Sequence, residues 1–348
     1  MDALLTVRDL DVRLFLKEGV VRALNGVSFS IAPNRTLGLV GESGCGKTIA
    51  ARAVLRILPS RAQIAAGSIQ LAPRRGSAAA VPVELTELDA NGPAIRRIRG
   101  GDISMVFQEP MSSLSPVHTV GEQIGEAVRL HQGLSRRNAR ACTIETLRRV
   151  GIPRAEQTVD AYPHQLSGGL RQRCMIAMAL CCRPRLLIAD EPTTALDVTI
   201  QYQILELIRS LQAEFGMAVL IITHDLGVIA ETADDVAVMY LGRIVEQAAA
   251  GTLFGDPKHP YTHGLLASAP RLGRGNRERL ASIPGSVPNP FSVVRGCPFH
   301  PRCRHAIRGR CDEGLPPDAV MVGPGHTVAC HLYDAPSRSL DEEREGDT

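Results

Sequence analysis

The sequence predicts an α/β fold with a buried parallel sheet at its centre. Three uninterrupted apolar runs lie in the second half of the chain, at 186–189, 218–222 and 236–239. A helical pattern with one apolar stripe lies between the first two runs and ends at a glycine. Apolar strands that alternate with helices are typical of parallel sheets covered on both faces. An earlier run, 37–40, precedes a glycine-rich segment and another helical pattern, so strand, loop and helix are expected in that order.

The remaining elements follow in chain order. The helix after the glycine-rich segment is expected to run to about Leu58, where Pro59 ends it. A later strand leads into Gln108, and amphipathic patterns with little strand signal then predict a helical subdomain at about 110–182. Short strands are expected at 4–7, 12–15 and 27–31, surface loops at 71–82 and 89–93, and a disordered acidic tail at 335–348.

Composition disfavours several classes of protein. Hydrophobic residues make up 44% of the 348 residues, which suits a soluble protein with a core. No apolar run approaches the roughly 18 residues that a membrane-spanning helix needs, and we expect no secretory signal. A net charge of +3 and the absence of tryptophan disfavour nucleic-acid binding. Nine cysteines, an odd number without a signal peptide, indicate a reducing compartment.

The glycine-rich segment Gly41–Thr48 has the spacing G-x-x-x-x-G-K-[ST] of a phosphate-binding loop. Its glycines let backbone N–H groups turn inward and form an anion site at the start of a helix. Lys47 is expected to contact the β- and γ-phosphates of a nucleotide, and the Thr48 hydroxyl to bind Mg²⁺. Only three of the 39 basic residues are lysines, and Lys47 is one of them. A compact ammonium at this position favours a tight phosphate cradle.

Asp190 and Glu191 directly follow the apolar run 186–189. Adjacent carboxylates at the end of a buried strand are costly unless they act on a cation or a reacting group. Asp190 suits Mg²⁺, directly or through water, and Glu191 suits the water that attacks the γ-phosphate. A strand that ends in a solvated acidic turn is the structural alternative.

A second helix start with anion-binding character is predicted at Ser167-Gly168-Gly169. Ser167 is a good N-cap, and the glycines leave N–H groups open at the start of a helix that runs to Cys182. A cap and turn without any ligand is the alternative. The chain thus has two phosphate-binding helix starts far apart in sequence, whereas one ATP has a single γ-phosphate.

These segments stand in the order found in the ATPase subunits of ABC transporters, which the chain resembles. The resemblance implies a P-loop ATPase domain at 1–255, with a RecA-like parallel sheet core, an antiparallel β subdomain and the helical subdomain. The matching segments are Gly41–Thr48, Gln108, Leu166–Gln172, Asp190-Glu191, Ala195-Leu196-Asp197 and His224. The ATP contacts implied within one chain are Gly41, Glu42, Ser43, Gly44, Cys45, Gly46, Lys47, Thr48 and Ile49.

Members of this family sandwich two ATP molecules between two cassettes arranged head to tail. The resemblance therefore implies a second set of ATP contacts, made to the partner's nucleotide by Ser167, Gly168, Gly169, Gln172 and Asp197. It implies Glu191 as catalytic base, His224 as the γ-phosphate switch, and Mg²⁺ bound by Thr48, Gln108 and Asp190. Gln108 would also link the ion or the attacking water to the helical subdomain. The family usually stacks adenine on an aromatic residue, whereas the matching segment 19–23 offers Val21, so the adenine contact stays open.

Residues 256–334 resemble the C-terminal extension of dipeptide and oligopeptide importer ATPases, most clearly at 259–270. This implies an ATPase at the cytoplasmic face of the inner membrane that drives peptide import by ATP-dependent closure of two subunits. The implied partners are two transmembrane permease subunits, a second ATPase subunit and an extracytoplasmic peptide-binding protein. Nickel, glutathione or another small solute is the alternative cargo. A soluble ABC ATPase acting on nucleic acid is the competing class, disfavoured by the single cassette and the small net charge.

Four cysteines crowd into the extension, at Cys297, Cys303, Cys311 and Cys330. Four thiolates this close in sequence suggest one metal centre in a small, irregular extension, although their spacing does not select the metal. The resemblance to peptide importers favours a [4Fe–4S] cluster over Zn²⁺. Nearby histidines leave a mixed zinc site open, and four unconnected reduced thiols are the other alternative; the histidines are His300, His305, His326 and His331.

Overall fold

A computed structural model of the chain describes residues 3–74, 81–108, 113–194, 197–268, 283–289, 291–292 and 294–334. The predicted acidic tail and residues 75–80 of the loop at 71–82 lie outside these residues, as do Ala195 and Leu196. The strands of the described part are β1 (Leu5–Leu16), β2 (Gly19–Ile31), β3 (Thr36–Val40), β4 (Ala62–Leu71), β5 (Val83–Glu84), β6 (Ile103–Val106), β7 (Leu186–Asp190), β8 (Ala218–Ile222), β9 (Asp235–Tyr240), β10 (Arg243–Ala249), β11 (Val320–Gly323) and β12 (His326–Val328).

The helices of the described part lie between these strands and after them. They are α1 (Lys47–Val54), α2 (Pro93–Ile98), α3 (Val120–Gln132), α4 (Arg136–Arg149), α5 (Ala155–Thr158), α6 (Gly168–Leu180), α7 (Val198–Phe215), α8 (Leu226–Thr232), α9 (Ala250–Gly255) and α10 (Pro260–Ser268). None of the helices in these residues has the length and apolar content to span a membrane.

The central sheet has eight strands in the described residues, in the order β11-β12-β10-β9-β3-β8-β7-β6. Strands β9, β3, β8, β7 and β6 run parallel, and every residue of β3, β7 and β8 is buried. Because parallel strands share one carboxyl edge, the segments after β3 and β7 lie at the same side of the sheet. The predicted parallel core is confirmed.

A separate antiparallel sheet has the order β2-β1-β4-β5. The short strands predicted at 4–7 and 12–15 are one continuous strand, β1, and residues 19–31 form its long partner. The pairing shifts register between Val7 and Val12, and Asp9 there has φ +47°. This bulge reverses the alternation of buried and exposed residues, which explains why the pattern suggested two strands.

The ends of several helices follow from their capping residues. Ser167 caps α6 as predicted, and α7 ends at Gly216, which has the left-handed conformation expected of a C-terminal glycine. Helix α1 is shorter than predicted, since it ends at Val54 instead of about Leu58. Arg56 has φ +55°, and this left-handed residue stops the helix before Pro59 is reached.

The C-terminal region is joined to the central sheet. Strand β12 pairs with β10, with Glu246 opposite Val328, and β11 continues the sheet beyond β12. Glu246 is fully buried at this junction and accepts a hydrogen bond from Nε2 of buried His326 at 2.8 Å. The prediction of an irregular extension therefore missed two strands, which are too short to give a clear alternating pattern.

Candidate nucleotide site

The phosphate-binding loop connects buried β3 to α1, and its conformation requires glycine at two positions. Gly41 has φ +154°, and a Cβ atom there would lie 2.2 Å from the Met239 carbonyl oxygen. Gly46 has φ +110°, and its Cβ would lie 2.5 Å from the Ala23 carbonyl oxygen. Both contacts are with backbone atoms that cannot move aside cheaply, so the loop is tightly held by β2 and β9.

Lys47 is the first residue of α1, and only 6% of its surface is exposed. Its ammonium donates hydrogen bonds to the carbonyl oxygens of Gly41 at 2.8 Å and Glu42 at 3.0 Å. No salt bridge to a carboxylate is found for Lys47 within the described residues. The ammonium charge is therefore free to act on a phosphate. Burial raises the pKa of the neighbouring Cys45 thiol, although the Lys47 charge opposes this shift.

Thr48 and Asp190 meet at the carboxyl edge of the sheet, where the Thr48 hydroxyl donates to Asp190 Oδ1 at 3.2 Å. Asp190 is 2% exposed, and burial raises the pKa of its carboxyl group, with a smaller contribution from the charge of Glu191. A hydroxyl and a buried carboxylate beside a phosphate-binding loop are the oxygen ligands that Mg²⁺ prefers.

Glu191 brings together the predicted catalytic residues. One of its carboxylate oxygens accepts hydrogen bonds from Gln108 Nε2 at 3.0 Å and Thr194 Oγ1 at 2.9 Å. The other lies 3.2 Å from Nδ1 of His224. The Glu191 backbone has φ +49°, a strained conformation for a residue that is not glycine, and its N–H is bound to the Ile222 carbonyl at 2.8 Å. The carboxylate is thus fixed in orientation from three sides.

Thr194 was missed by the sequence reasoning. Its spacing from Glu191 is typical of a turn, and the backbone N–H of Thr194 bonds the Glu191 carbonyl at 3.2 Å. A threonine three residues after a predicted catalytic carboxylate is the signal that could have identified it.

The second helix start lies on the surface and makes no hydrogen bond to the phosphate-binding loop in the described residues. Ser167 accepts a hydrogen bond from the N–H of Leu170 at 3.4 Å, and both Ser167 and Gly168 are exposed. Asp197 is also exposed and caps α7 through the N–H of Ile200 at 2.9 Å. The two helix starts that are predicted to bind phosphate thus share no hydrogen bond in the described part of the chain, and the start of α6 faces solvent.

Gln172, which is predicted to contact a partner's ATP, is buried within its own chain. Only 2% of its surface is exposed, and its side-chain amide donates to the carbonyl oxygen of Pro192 in the same chain. Because an α-helix completes one turn in about 3.6 residues, Gln172 lies on a different side of α6 from Ser167 and faces the core. Gln172 instead ties α6 to the segment that follows Glu191.

The predicted adenine region is the hairpin between β1 and β2. Val21 is half-buried and pairs with Leu14, while the adjacent pair Phe15 and Val20 is exposed. A Cβ on Gly19 would lie 3.5 Å from the ring of Phe291. Aromatic and aliphatic side chains are thus present at this hairpin. No contact among the described residues identifies the side chain that would pack against the adenine ring.

The four cysteines of the C-terminal region are free thiols that lie close enough to influence one another's ionisation. Burial, with smaller contributions from the neighbouring thiols, raises the pKa of both Cys297 and Cys330 to about 11. In the described residues, no group of three or more His, Cys, Asp or Glu side chains is arranged to hold a metal ion. A metal centre is therefore not confirmed.

The candidate histidines for a mixed zinc site are mostly engaged elsewhere. His326 is paired with Glu246, and His331 lies 2.6 Å from a carboxylate oxygen of Asp334. His300 Nδ1 lies 3.0 Å from the carbonyl oxygen of Cys297. Each contact uses one ring nitrogen, and Nε2 of His331 is buried without a hydrogen-bond partner in the described residues, so a histidine ligand stays open.

Comparison with known proteins matches two family models. The ABC transporter model matches residues 24–194, and the model of the oligopeptide/dipeptide transporter C-terminal region matches residues 245–311. A probable peptide ABC transporter ATP-binding protein of Sinorhizobium fredii is 50% identical over 94% of this chain and 95% of its own length. An oligopeptide transport ATP-binding protein of Bacillus subtilis is 46% identical over 96% of this chain and 98% of its own.

Solved structures show the same fold. A dimeric ATP-binding cassette bound to ADP and phosphate superimposes with a TM-score of 0.61 at 24% identity, covering 71% of this chain and 98% of that one. The cbiO1 protein of Clostridium perfringens, part of an ABC transporter complex, has a TM-score of 0.60 at 27% identity, covering 74% of this chain and 92% of its own. The predicted fold and family are confirmed. The chain belongs to the family of ABC transporter ATP-binding proteins that carry the oligopeptide/dipeptide transporter C-terminal region.

Proposed function

We propose that this chain hydrolyses ATP to drive the import of peptides through the membrane subunits of an ABC transporter. ATP hydrolysis is the activity of its family. The observation that carries the proposal is the fixed carboxylate of Glu191, beside the Mg²⁺-type pair of Thr48 and Asp190 and at the same sheet edge as Lys47. The peptide cargo is supported by the C-terminal family model and by the names of the relatives.

In the proposed mechanism, Lys47 and the loop N–H groups bind the β- and γ-phosphates. Thr48 and Asp190 would hold Mg²⁺, which would supply positive charge against the charge that develops on the phosphates. Glu191 accepts a proton from a water molecule, whose oxygen attacks the γ-phosphorus while the bond to the ADP oxygen breaks. Gln108 already donates to Glu191 through its Nε2, which leaves its carbonyl oxygen for the ion or the water.

A second ATPase subunit, either another copy or a homologue, is proposed to close over each ATP. The exposed start of α6 supports this, since no partner for the N–H groups of Ser167 and Gly168 is found among the described residues, and such groups suit a γ-phosphate. Asp197 lies exposed at the start of α7 and is proposed to contact the partner as well. Two permease subunits and an extracytoplasmic peptide-binding protein complete the assembly, with this chain at the cytoplasmic face of the inner membrane.

A [4Fe–4S] cluster is proposed at the four cysteines of the C-terminal region. The other three thiols contribute to the raised pKa of the Cys330 thiol, which supports a shared site.

Anaerobic purification with iron, sulfide and visible-spectrum analysis tests the cluster. Iron and sulfide in equal amounts with a brown colour would support it. A colourless protein with stoichiometric zinc would contradict it.

Uptake by proteoliposomes tests the transport function. The chain is reconstituted with its membrane subunits and binding protein, and uptake of labelled di- and oligopeptides is measured with ATP enclosed on the side of this chain. We expect ATP-dependent peptide uptake that Glu191→Gln abolishes. Uptake of nickel or glutathione in place of peptides would contradict the cargo, and ATPase activity stimulated only by nucleic acid would contradict the transport role.

A further inference from the structure

Glu42 of the phosphate-binding loop has all of its polar groups engaged, and two of the contacts come from the C-terminal region. Its carbonyl oxygen accepts a hydrogen bond from Lys47 Nζ at 3.0 Å. Its N–H donates to the Tyr261 hydroxyl at 2.9 Å. Its carboxylate accepts hydrogen bonds from Arg302 Nη1 at 2.7 Å and Nη2 at 2.9 Å. Lys47, Tyr261 and Arg302 therefore all form hydrogen bonds with Glu42, although two of them lie far downstream in the sequence.

The Arg302 guanidinium is buried and held on several sides. Its side chain is 4% exposed, and its Nε donates to the Pro284 carbonyl oxygen at 3.1 Å. The guanidinium carbon lies 5.9 Å from the ring centre of Tyr240 and 6.0 Å from that of Phe299. A guanidinium that binds a carboxylate with two nitrogens fixes both its distance and its plane, which an ammonium does not. Glu42 is thus held in one orientation.

An aromatic cluster supports the same contact. Tyr240, Tyr261 and Phe299 pack with ring centres 4.7 to 5.3 Å apart, and all three are buried. Tyr240 ends β9, the strand whose Met239 carbonyl lies against Gly41. The cluster therefore joins the C-terminal region, the central sheet and the phosphate-binding loop into one packed unit.

The turn that carries Arg302 lies between two of the four cysteines. Backbone hydrogen bonds run from His300 N–H to the Cys297 carbonyl at 3.0 Å and from Cys303 N–H to the His300 carbonyl at 3.1 Å. Arg302 itself donates its N–H to the Phe299 carbonyl at 3.0 Å. The guanidinium is therefore placed by the fold of the cysteine-bearing segment.

We infer that Arg302 is a positioning residue for ATP binding, through which the C-terminal region holds Glu42 and with it the phosphate-binding loop. Without Arg302, the Glu42 carboxylate is left unpaired beside a loop that must accept a polyanion, and the carbonyl that anchors Lys47 loses its fixed place. The inference rests on ATP binding at this loop and not on the nature of the cargo.

The test measures ATP affinity of the full-length chain by calorimetry with Mg²⁺, in the Glu191→Gln background so that ATP is not consumed. We expect Arg302→Met to weaken ATP binding about tenfold, or about 1.4 kcal/mol, and Arg302→Lys to recover part of the loss. The double variant with Arg302→Met and Glu42→Gln should bind ATP no more weakly than Arg302→Met alone, because the second change removes the unpaired carboxylate. Thermal unfolding of each variant establishes that it is folded.

Arg310→Ala is the matched control. Arg310 also belongs to the C-terminal region and pairs with Asp334 at 3.2 Å, and no hydrogen bond or ion pair from either residue to the phosphate-binding loop is found in the described residues. We expect wild-type ATP affinity for this variant. Unchanged affinity in folded Arg302→Met, or losses for Arg302→Met and Glu42→Gln that simply add, would overturn the inference. If the parent chain binds ATP no better than its Lys47→Ala variant, the nucleotide site itself is wrong, and the inference fails with it.

Discussion

Replacing Glu191 by glutamine keeps the shape of the side chain and removes its ability to accept a proton. Glu191 receives hydrogen bonds from Gln108 and Thr194 on one oxygen and faces His224 with the other. A glutamine that turns its carbonyl oxygen towards Gln108 and Thr194 keeps both bonds, and its amide can donate to a neutral histidine. We therefore expect ATP to bind as well as in the wild type.

The expected loss of turnover follows from how firmly the carboxylate is held. General bases contribute about 10²- to 10⁴-fold to a reaction rate. The Glu191 side chain is only 16% exposed and is held from three sides, so little reorientation precedes proton transfer. We place its contribution in the upper part of that range, at about 10³-fold or more, which corresponds to about 4 kcal/mol.

The assay measures initial rates of phosphate release by the assembled transporter at saturating Mg²⁺ and ATP, with ATP affinity measured separately. Glu206→Gln is the matched control, because Glu206 lies on the exposed face of α7 and pairs only with Arg209 in the described residues. The control should keep wild-type turnover. Turnover of Glu191→Gln within tenfold of the wild type, with ATP still bound, would refute its role as the base.

Three other changes test the loop, the sheet junction and the cysteines. Gly46→Ala should abolish ATP binding in calorimetry, because its Cβ would collide with the Ala23 carbonyl, whereas Gly251→Ala, which meets nothing within 4 Å, should bind normally. Glu246→Leu should lower the free energy of unfolding in a denaturant titration by about 3 kcal/mol, since it leaves buried His326 and two N–H groups unpaired; an unchanged midpoint would contradict the assigned junction. Burial raises the pKa of Cys297 and Cys330 to about 11, so both thiols are protonated at neutral pH and metal binding must release protons. Affinity for added Zn²⁺, measured against a chelator, should therefore rise from about pH 6.5 to 8.5, and a fall would contradict thiolate ligation.

Local sequence patterns predicted the parts of the site that short segments determine. The phosphate-binding loop, the carboxylates after β7 and the Ser167 cap each depend on a few adjacent residues, and the structure places them at the ends of buried elements. The β1 bulge at Asp9 was not predictable from alternation, because a bulge shifts the alternation itself.

Contacts between distant residues could not be predicted. Arg302 and Glu42 are 260 positions apart, and an arginine in a segment rich in proline and arginine has no feature that identifies its partner. The pairing of β12 with β10 is similar, since three residues do not define an alternating pattern. These contacts depend on how the chain returns to the central sheet.

Closure of a second subunit over the ATP held at Lys47 is tested most directly by Ser167→Arg. ATP affinity is measured on the isolated chain at low concentration, and turnover on the assembled transporter. Ser167 makes no hydrogen bond to the phosphate-binding loop in the described part of its own chain, so we expect unchanged affinity and lost turnover; Lys47→Ala should lose both. A Ser167→Arg variant that binds ATP weakly as an isolated chain, or that keeps its turnover, would contradict closure by a second subunit.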